Sequence, residues 1–345
     1  MEQNIYQVIW FILWGVLWAV YFMLDGFDFG LGMILPFVAK NDTERRIIYN
    51  AAGPFWDGNE VWLITAGGAT FAAFPKAYAI MFSTLYTPLL IILFALILRG
   101  VAFEFRAKEE SPVWKAVWDI CLVLGSFVPS LLFGVAFANF FLGLPLDRQG
   151  IMHGNLLTLL NPYGILGGLL FVVMFVVHGA VWLCVKSNGD LCRRAKEVAE
   201  RFWVLEVILL GLFLLASGLA TDLWSNFFRY KILLLIPALA LLGLVAIPAY
   251  LGLGKYWWAW FASALTVLMT TAFGVAGLFP RLIPSRLDPE ATLTIYNASS
   301  SPLTLKIMTV VALVFVPIVI LYQIWAYKLF SDKVRPEFLE TEEAY

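Results

Sequence analysis

The sequence predicts an all-α, polytopic transmembrane protein of nine spans, and three observations predict it. Apolar residues make up 61% of the 345 residues, against roughly 45–50% in a soluble protein. Charged residues make up 14%, against about 25%, and the mean hydropathy is +0.84. Long stretches carry no Asp, Glu, Lys or Arg, among them 77–98, 120–146, 154–185, 232–254, 256–280 and 307–327. A soluble exterior of this size needs polar cover that the composition does not supply. Soluble enzymes, disordered chains and coiled coils are excluded. An outer-membrane barrel is excluded too, because its strands alternate polar and apolar residues. The net charge of −1 gives no sign of a nucleic-acid partner.

A hydrocarbon core about 30 Å thick needs about 20 apolar residues per helix. Nine stretches qualify, at about 6–36, 56–74, 78–99, 117–141, 158–185, 203–222, 231–252, 257–279 and 305–328. The first is too long for a simple crossing, so it must tilt, break or run along the interface. Gly26, Gly30, Gly32 and Pro36 suit a break there. It lacks the basic start and small-residue cleavage site of a signal peptide. The loops are short, and the longest outer one, about 280–304, has no apolar period. The chain therefore reads as one integral membrane domain over 1–345, naturally divided into four spans, four spans and one more.

Lys and Arg set the orientation. With the N-terminus outside, only Lys76, Arg148, Arg229, Lys231, Arg281, Arg286 and Lys306 fall outside, and the other 16 of the 23 basic residues fall inside. The N-terminus is thus expected outside and the C-terminus in the cytoplasm. Tyr256, Trp257, Trp258 and Trp260 then lie at the inner interface, where amphipathic rings belong.

Ionisable residues within spans are costly and mark candidate functional sites. Asp25 and Asp28 are three apart and share a helix face, as do Asp57 and Glu60. Both pairs lie in the cytoplasmic half, on either side of the short loop 40–53, and antiparallel neighbours would bring the four carboxyl groups together. Burial and mutual repulsion suit such a cluster to carrying protons. Arg99, at the inner end of span three, is placed to neutralise one of them. The competing reading is that these charges cap helices and pair for folding. Glu206, Asp119 and Asp222 lie near span ends and read as snorkelling or capping groups.

His178, in the inner third of span five, reads as a packing or hydrogen-bonding residue, with membership of a proton path as its other reading. His153 lies in an outer loop, so the two histidines cannot face each other across a haem. Cys121, Cys184 and Cys192 form no CxxC pair and read as small packing residues. No metal site, P-loop, nucleophile elbow or His-Glu-x-x-His helix is present. Redox chemistry would have to come from a cofactor in another subunit.

Several segments taken together resemble subunit II of the cytochrome bd quinol oxidase family. They are Asp25-Gly-Phe-Asp-Phe-Gly-Leu-Gly32, Asn41-Asp-Thr-Glu-Arg-Arg46, Trp56-Asp-Gly-Asn-Glu-Val-Trp62 with its continuation to Ala69, Phe71-Ala-Ala-Phe-Pro75, and Leu98-Arg-Gly-Val-Ala-Phe-Glu-Phe-Arg106. Leu160-Asn-Pro-Tyr-Gly164 adds a weaker match. The strong matches cover about the first 106 residues.

The resemblance implies two four-helix bundles plus one helix. It implies a haem-free subunit of an electrogenic, non-pumping oxidase in the bacterial cytoplasmic membrane, which oxidises quinol and reduces dioxygen to water. Two b-type haems and one haem d would sit in the partner, subunit I. A small accessory single-span subunit and membrane lipids are further partners it leaves room for. A structural quinone or lipid in a hydrophobic groove, and an apolar dioxygen tunnel, occur in the family. By the same resemblance Asp57, with Trp56, Asp25, Asp28 and Arg99, maps onto a cytoplasmic proton path; the charge pattern adds Glu60 to that path, and Trp56, Asn59, Arg99, Glu104 and His178 are expected in supporting or interface positions. The alternative is a proton-coupled secondary transporter that uses the same carboxylates and a broken helix.

Overall fold

The computed structural model describes residues 5–340. These hold thirteen α-helices: α1 (Ile5–Val38), α2 (Asp42–Ala52), α3 (Trp56–Ala73), α4 (Pro75–Thr84), α5 (Tyr86–Phe105), α6 (Pro112–Leu142), α7 (Leu156–Leu159), α8 (Pro162–Lys186), α9 (Gly189–Ala220), α10 (Leu223–Arg229), α11 (Leu235–Gly252), α12 (Tyr256–Leu278) and α13 (Pro302–Leu329). The all-α, polytopic reading holds.

Eight helical segments are long and apolar enough to cross a membrane, built on α1, α5, α6, α8, α9, α11, α12 and α13. The ninth expected span, α3, has 18 residues. Asp57, Asn59 and Glu60 in its first turns lower its hydropathy, so the count of nine is approximate. Span three is divided. Pro88 cannot donate a backbone hydrogen bond to Thr84 and its ring crowds that carbonyl. The helix accordingly breaks at Leu85 into α4 and α5.

The helices form two groups. α1, α3, α5 and α6 make the first, with α4 bridging α3 and α5, and α8, α9, α11 and α12 make the second. α1 and α6 pack on α8, and α1 also packs on α12, so the groups share one core. α13 lies outside both, against α1 and α3. In the connection after α12, β1 (Arg281–Ile283) pairs antiparallel with β2 (Leu293–Thr294), with Arg281 opposite Thr294.

The expected break in α1 is absent. Its 34 residues form one helix, about 51 Å long at 1.5 Å per residue. The glycines serve close packing instead. A Cβ on Gly30 would overlap the Phe175 carbonyl oxygen of α8, and one on Gly179 would come within 2.5 Å of the Gly30 backbone. Small residues that let backbones approach drive helix association in a bilayer, where apolar burial gives little gain. Pro36, in the last turn of α1, removes the hydrogen bond to the Gly32 carbonyl without interrupting the helix. Gly30→Ala or Gly179→Ala should cost about 1–3 kcal/mol through overpacking. Thermal unfolding of the solubilised protein should show a lower Tm for both. Gly211→Ala, where a Cβ meets nothing within 4 Å, should leave it unchanged or raise it.

Two further expectations are corrected. The loop 40–53 contains a helix, α2, whose N-cap Asn41 accepts from the Glu44 amide at 2.9 Å. The helix that carries span six, α9, begins at Gly189, where a charged segment extends its apolar part. Glu206 therefore lies mid-helix. It is 1% exposed and neither carboxyl oxygen has a partner, so it does not snorkel.

Candidate functional site

Three helices converge on one buried polar cluster. α1 supplies Asp25 and Asp28, α3 supplies Asn59 and Glu60, and α5 supplies Arg99. Asp25, Asp28, Asn59 and Arg99 are all fully buried. Gly125 of α6 makes room for this, since a Cβ there would meet the Arg99 backbone nitrogen at 2.9 Å.

Arg99 is the centre of charge. Its Nη2 donates to Asp25 Oδ2 at 3.0 Å. Its Nη1 lies 2.7 Å from Asp25 Oδ1, a charge contact without hydrogen-bond alignment. Glu60 Oε2 lies 3.4 Å from Nη2. The guanidinium carbon sits 4.3 Å from the centre of the Phe29 ring, a favourable cation–π geometry. Asp28 receives no cation. Its Oδ2 accepts from Asn59 Nδ2 at 2.7 Å, and its Oδ1 has no protein partner. Nearby on α1, the buried Tyr21 hydroxyl lies against the Asp25 carboxyl.

Three of the four expected carboxyl groups therefore share the cluster. Asp57 does not; it is exposed on the first turn of α3. It lies three positions before Glu60, but only Glu60 turns toward Arg99. Trp56 stacks on Phe103 with ring centres 5.3 Å apart and planes 11° apart, beside Gly100. Glu104 is exposed near the end of α5. His178 is fully buried on α8, where Nε2 lies 2.9 Å from the Met23 carbonyl and Nδ1 2.9 Å from Ser263 Oγ. The carbonyl only accepts, so Nε2 carries the proton and Nδ1 accepts from the hydroxyl. His178 stacks on Trp260 and makes no hydrogen bond to the carboxylates.

Sequence reasoning missed Trp62, Gln323 and Tyr327. Trp62 Nε1 donates to Gln323 Oε1 at 2.8 Å, and Gln323 Nε2 donates to Asn59 Oδ1 at 3.3 Å. The Tyr327 hydroxyl donates to the same Asn59 oxygen at 3.0 Å. The available signal was the i, i+4 spacing of Gln323 and Tyr327 on one face of an otherwise apolar span.

A second charged network closes the α2 end of the first group. Asp119 is neither capping nor snorkelling. It is buried, and accepts from Arg106 at 2.7 Å, Arg45 at 2.7 Å and the Tyr49 hydroxyl at 3.1 Å. Arg106 and Lys115 also bind Asp42, at 2.8 and 3.2 Å. Burial alone would raise the Asp42 carboxyl, but its bonds to Arg106 and Lys115 prevail and hold it below its ordinary value. The stabilisation from a depressed carboxyl is complete above its unfolded pKa and is lost only as pH falls through the folded value. This clamp therefore persists across the neutral range.

Two apolar cavities flank the cluster. One of about 670 Å³ lies among α1, α3, α4, α5 and α6. The other, about 830 Å³, lies among α1, α3, α12 and α13 and reaches Trp62, Gln323 and Tyr327.

This arrangement can be set beside known proteins. Residues 6–330 match the family described as cytochrome bd terminal oxidase subunit II. The chain belongs to that family. It is 38% identical to the cytochrome bd ubiquinol oxidase subunit 2 of Bacillus subtilis (strain 168) over 326 residues, covering 94% of this chain and 96% of that protein. It is 36% identical to the cytochrome bd-I ubiquinol oxidase subunit 2 of Escherichia coli (strain K12) over 374 residues, covering 99% and 98%. The fold is similar to a chain in the structure of bd oxidase from Geobacillus thermodenitrificans, with TM-score 0.78, 19% identity, and coverage of 95% of this chain and 99% of that one. The family assignment makes this multi-pass chain a subunit of a terminal oxidase, and so of an oxidoreductase complex.

Proposed function

We propose that this chain is the haem-free subunit II of a cytochrome bd-type oxidase in a bacterial cytoplasmic membrane, with its N-terminus outside. In this reading it supports assembly with the haem-bearing subunit I. It also lends the complex part of a proton path from the cytoplasm. Quinol oxidation and dioxygen reduction take place at two b-type haems and one haem d in the partner. The oxidase is electrogenic through proton uptake on one side and does not pump.

The buried cluster is the observation that carries the reading. Three carboxyl groups share one permanent cation, and Arg99 balances one negative charge. Asp28, with no cation and one unpartnered oxygen, is the group best suited to take up and release a proton. Asp57 and Glu60 form the entrance, because Asp57 is exposed and Glu60 is half-buried on the same helix. Protons pass from them to Asp25 and Asp28 and leave toward the partner. Transfer between groups that do not touch runs through water, which polar sites of this kind hold. Trp56, Asn59, Glu104 and His178 are assigned supporting or interface positions.

The histidines support the haem-free assignment. Both nitrogens of His178 are already hydrogen-bonded. His153 lies 2.7 Å from Asp147 in an exposed loop. Neither fits an axial haem ligand in the core. The apolar cavity beside α13 suits a structural quinone or a lipid chain.

The test is purification through a tag on this chain from its own host in mild detergent, followed by a reduced-minus-oxidised spectrum. A stoichiometric second membrane protein with b-type and d-type haem bands is expected. A colourless chain without a partner would overturn the reading and favour the proton-coupled transporter.

A further inference from the structure

Four side chains between α13 and α1 form a hydrogen-bonded chain of fixed direction. An indole N–H only donates. Trp62 Nε1 therefore fixes the amide of Gln323, whose Oε1 must face it at 2.8 Å. Gln323 then presents only its Nε2 donors to Asn59, at 3.3 Å. Asn59 must answer with its carbonyl oxygen, which turns its own amino group onto Asp28 Oδ2 at 2.7 Å. Tyr327 adds a second donor to the same Asn59 oxygen, at 3.0 Å. The Asn59 amino group also donates to the Leu24 carbonyl at 3.3 Å, which favours the same orientation, and Trp62 extends that fixed direction to Gln323. Bonds aligned head to tail also polarise one another.

We propose that Trp62 and Gln323 are positioning residues for proton exchange at Asp28. They hold a donor on Asp28 Oδ2, so that the proton is taken up and released at the unpartnered Oδ1. The outermost helix, α13, is thereby part of the proton site rather than packing alone. Tyr327 reinforces the same direction. The inference rests on the reading of Asp28 as a proton carrier.

The test uses the assembled oxidase. Redox-induced infrared difference spectra are recorded for the parent and for Trp62→Phe, Gln323→Leu and Tyr327→Phe, each with the pH profile of quinol-driven oxygen uptake. The Asp28 carboxyl band is identified by its loss in Asp28→Asn. Trp62→Phe and Gln323→Leu should each shift that band and displace the pH profile, with haem spectra unchanged, and Tyr327→Phe should do so less. Gln323 and Tyr327 are half-buried on a peripheral helix, so their variants remain informative if Trp62→Phe fails to assemble. An unmoved band with an unmoved pH profile in Gln323→Leu would overturn the inference while leaving Asp28 as carrier. No Asp28 band, together with full activity in Asp28→Asn, would overturn the proton-carrier reading itself.

Discussion

Replacing Arg99 with methionine should leave little or no assembled protein. The guanidinium and the Asp25 carboxylate are both fully buried. Removing one partner of a buried pair leaves an uncompensated charge and costs about 3–5 kcal/mol. That is a large share of the roughly 5–15 kcal/mol that holds a typical fold together. Glu60, at 22% side-chain exposure, loses less because water screens it. Lysine is a poor substitute, since one ammonium cannot meet Asp25 and Glu60 together over the Phe29 ring. Arg99→Met combined with Asp25→Asn should recover part of the loss, because the orphaned charge goes with its partner. The measure is the yield of complex on size exclusion, read by haem absorbance, and its thermal midpoint. If Arg99→Met matched the parent in both, the ion pair would have no structural role.

The spans were legible because apolar runs of bilayer length have few other uses, and the acidic motifs because charge in such runs is rare. The sequence periodicity also placed Asp25 and Asp28 on one face and Arg99 within reach, and the structure brings them together. Other features depend on rotation and neighbours that periodicity leaves open. Asp57 and Glu60 share a spacing, yet one faces out and the other faces Arg99. Gly26, Gly30 and Gly32 looked like a helix break, but their missing side chains make room for α8 and α6. Asp119 reads as a snorkelling or capping group in the sequence because two of its partners, Arg45 and Tyr49, come from α2, a short helix with no apolar run to announce it. Gln323 and Tyr327 leave little trace in the sequence because two polar side chains hardly change the hydropathy of a 28-residue helix.

The same burial that gives Asp25 an arginine leaves Glu206 with no hydrogen-bonding partner. It lies on α9, in the second group of helices.

Asp28→Asn should lower quinol-driven oxygen uptake by about 100-fold or more, the scale on which positioned proton-transfer groups act. The substitution keeps the shape and still accepts from Asn59, so haem content and assembly should match the parent. It removes only the capacity to carry a proton at Oδ1. Asp57→Asn removes an exposed carboxylate at the entrance, where water and Glu60 provide other routes, and a few-fold loss is expected. Glu60→Gln should fall between them, because it also takes a carboxylate from beside Arg99. Steady-state uptake against pH separates these cases from a binding defect. A proton-path variant lowers kcat and changes its pH dependence, whereas the KM for quinol is expected to stay put. Full turnover in Asp28→Asn with normal pH dependence would remove Asp28 from the path. An Asp57→Asn loss as large as that of Asp28→Asn would instead mean that protons have a single entrance, at the exposed turn of α3.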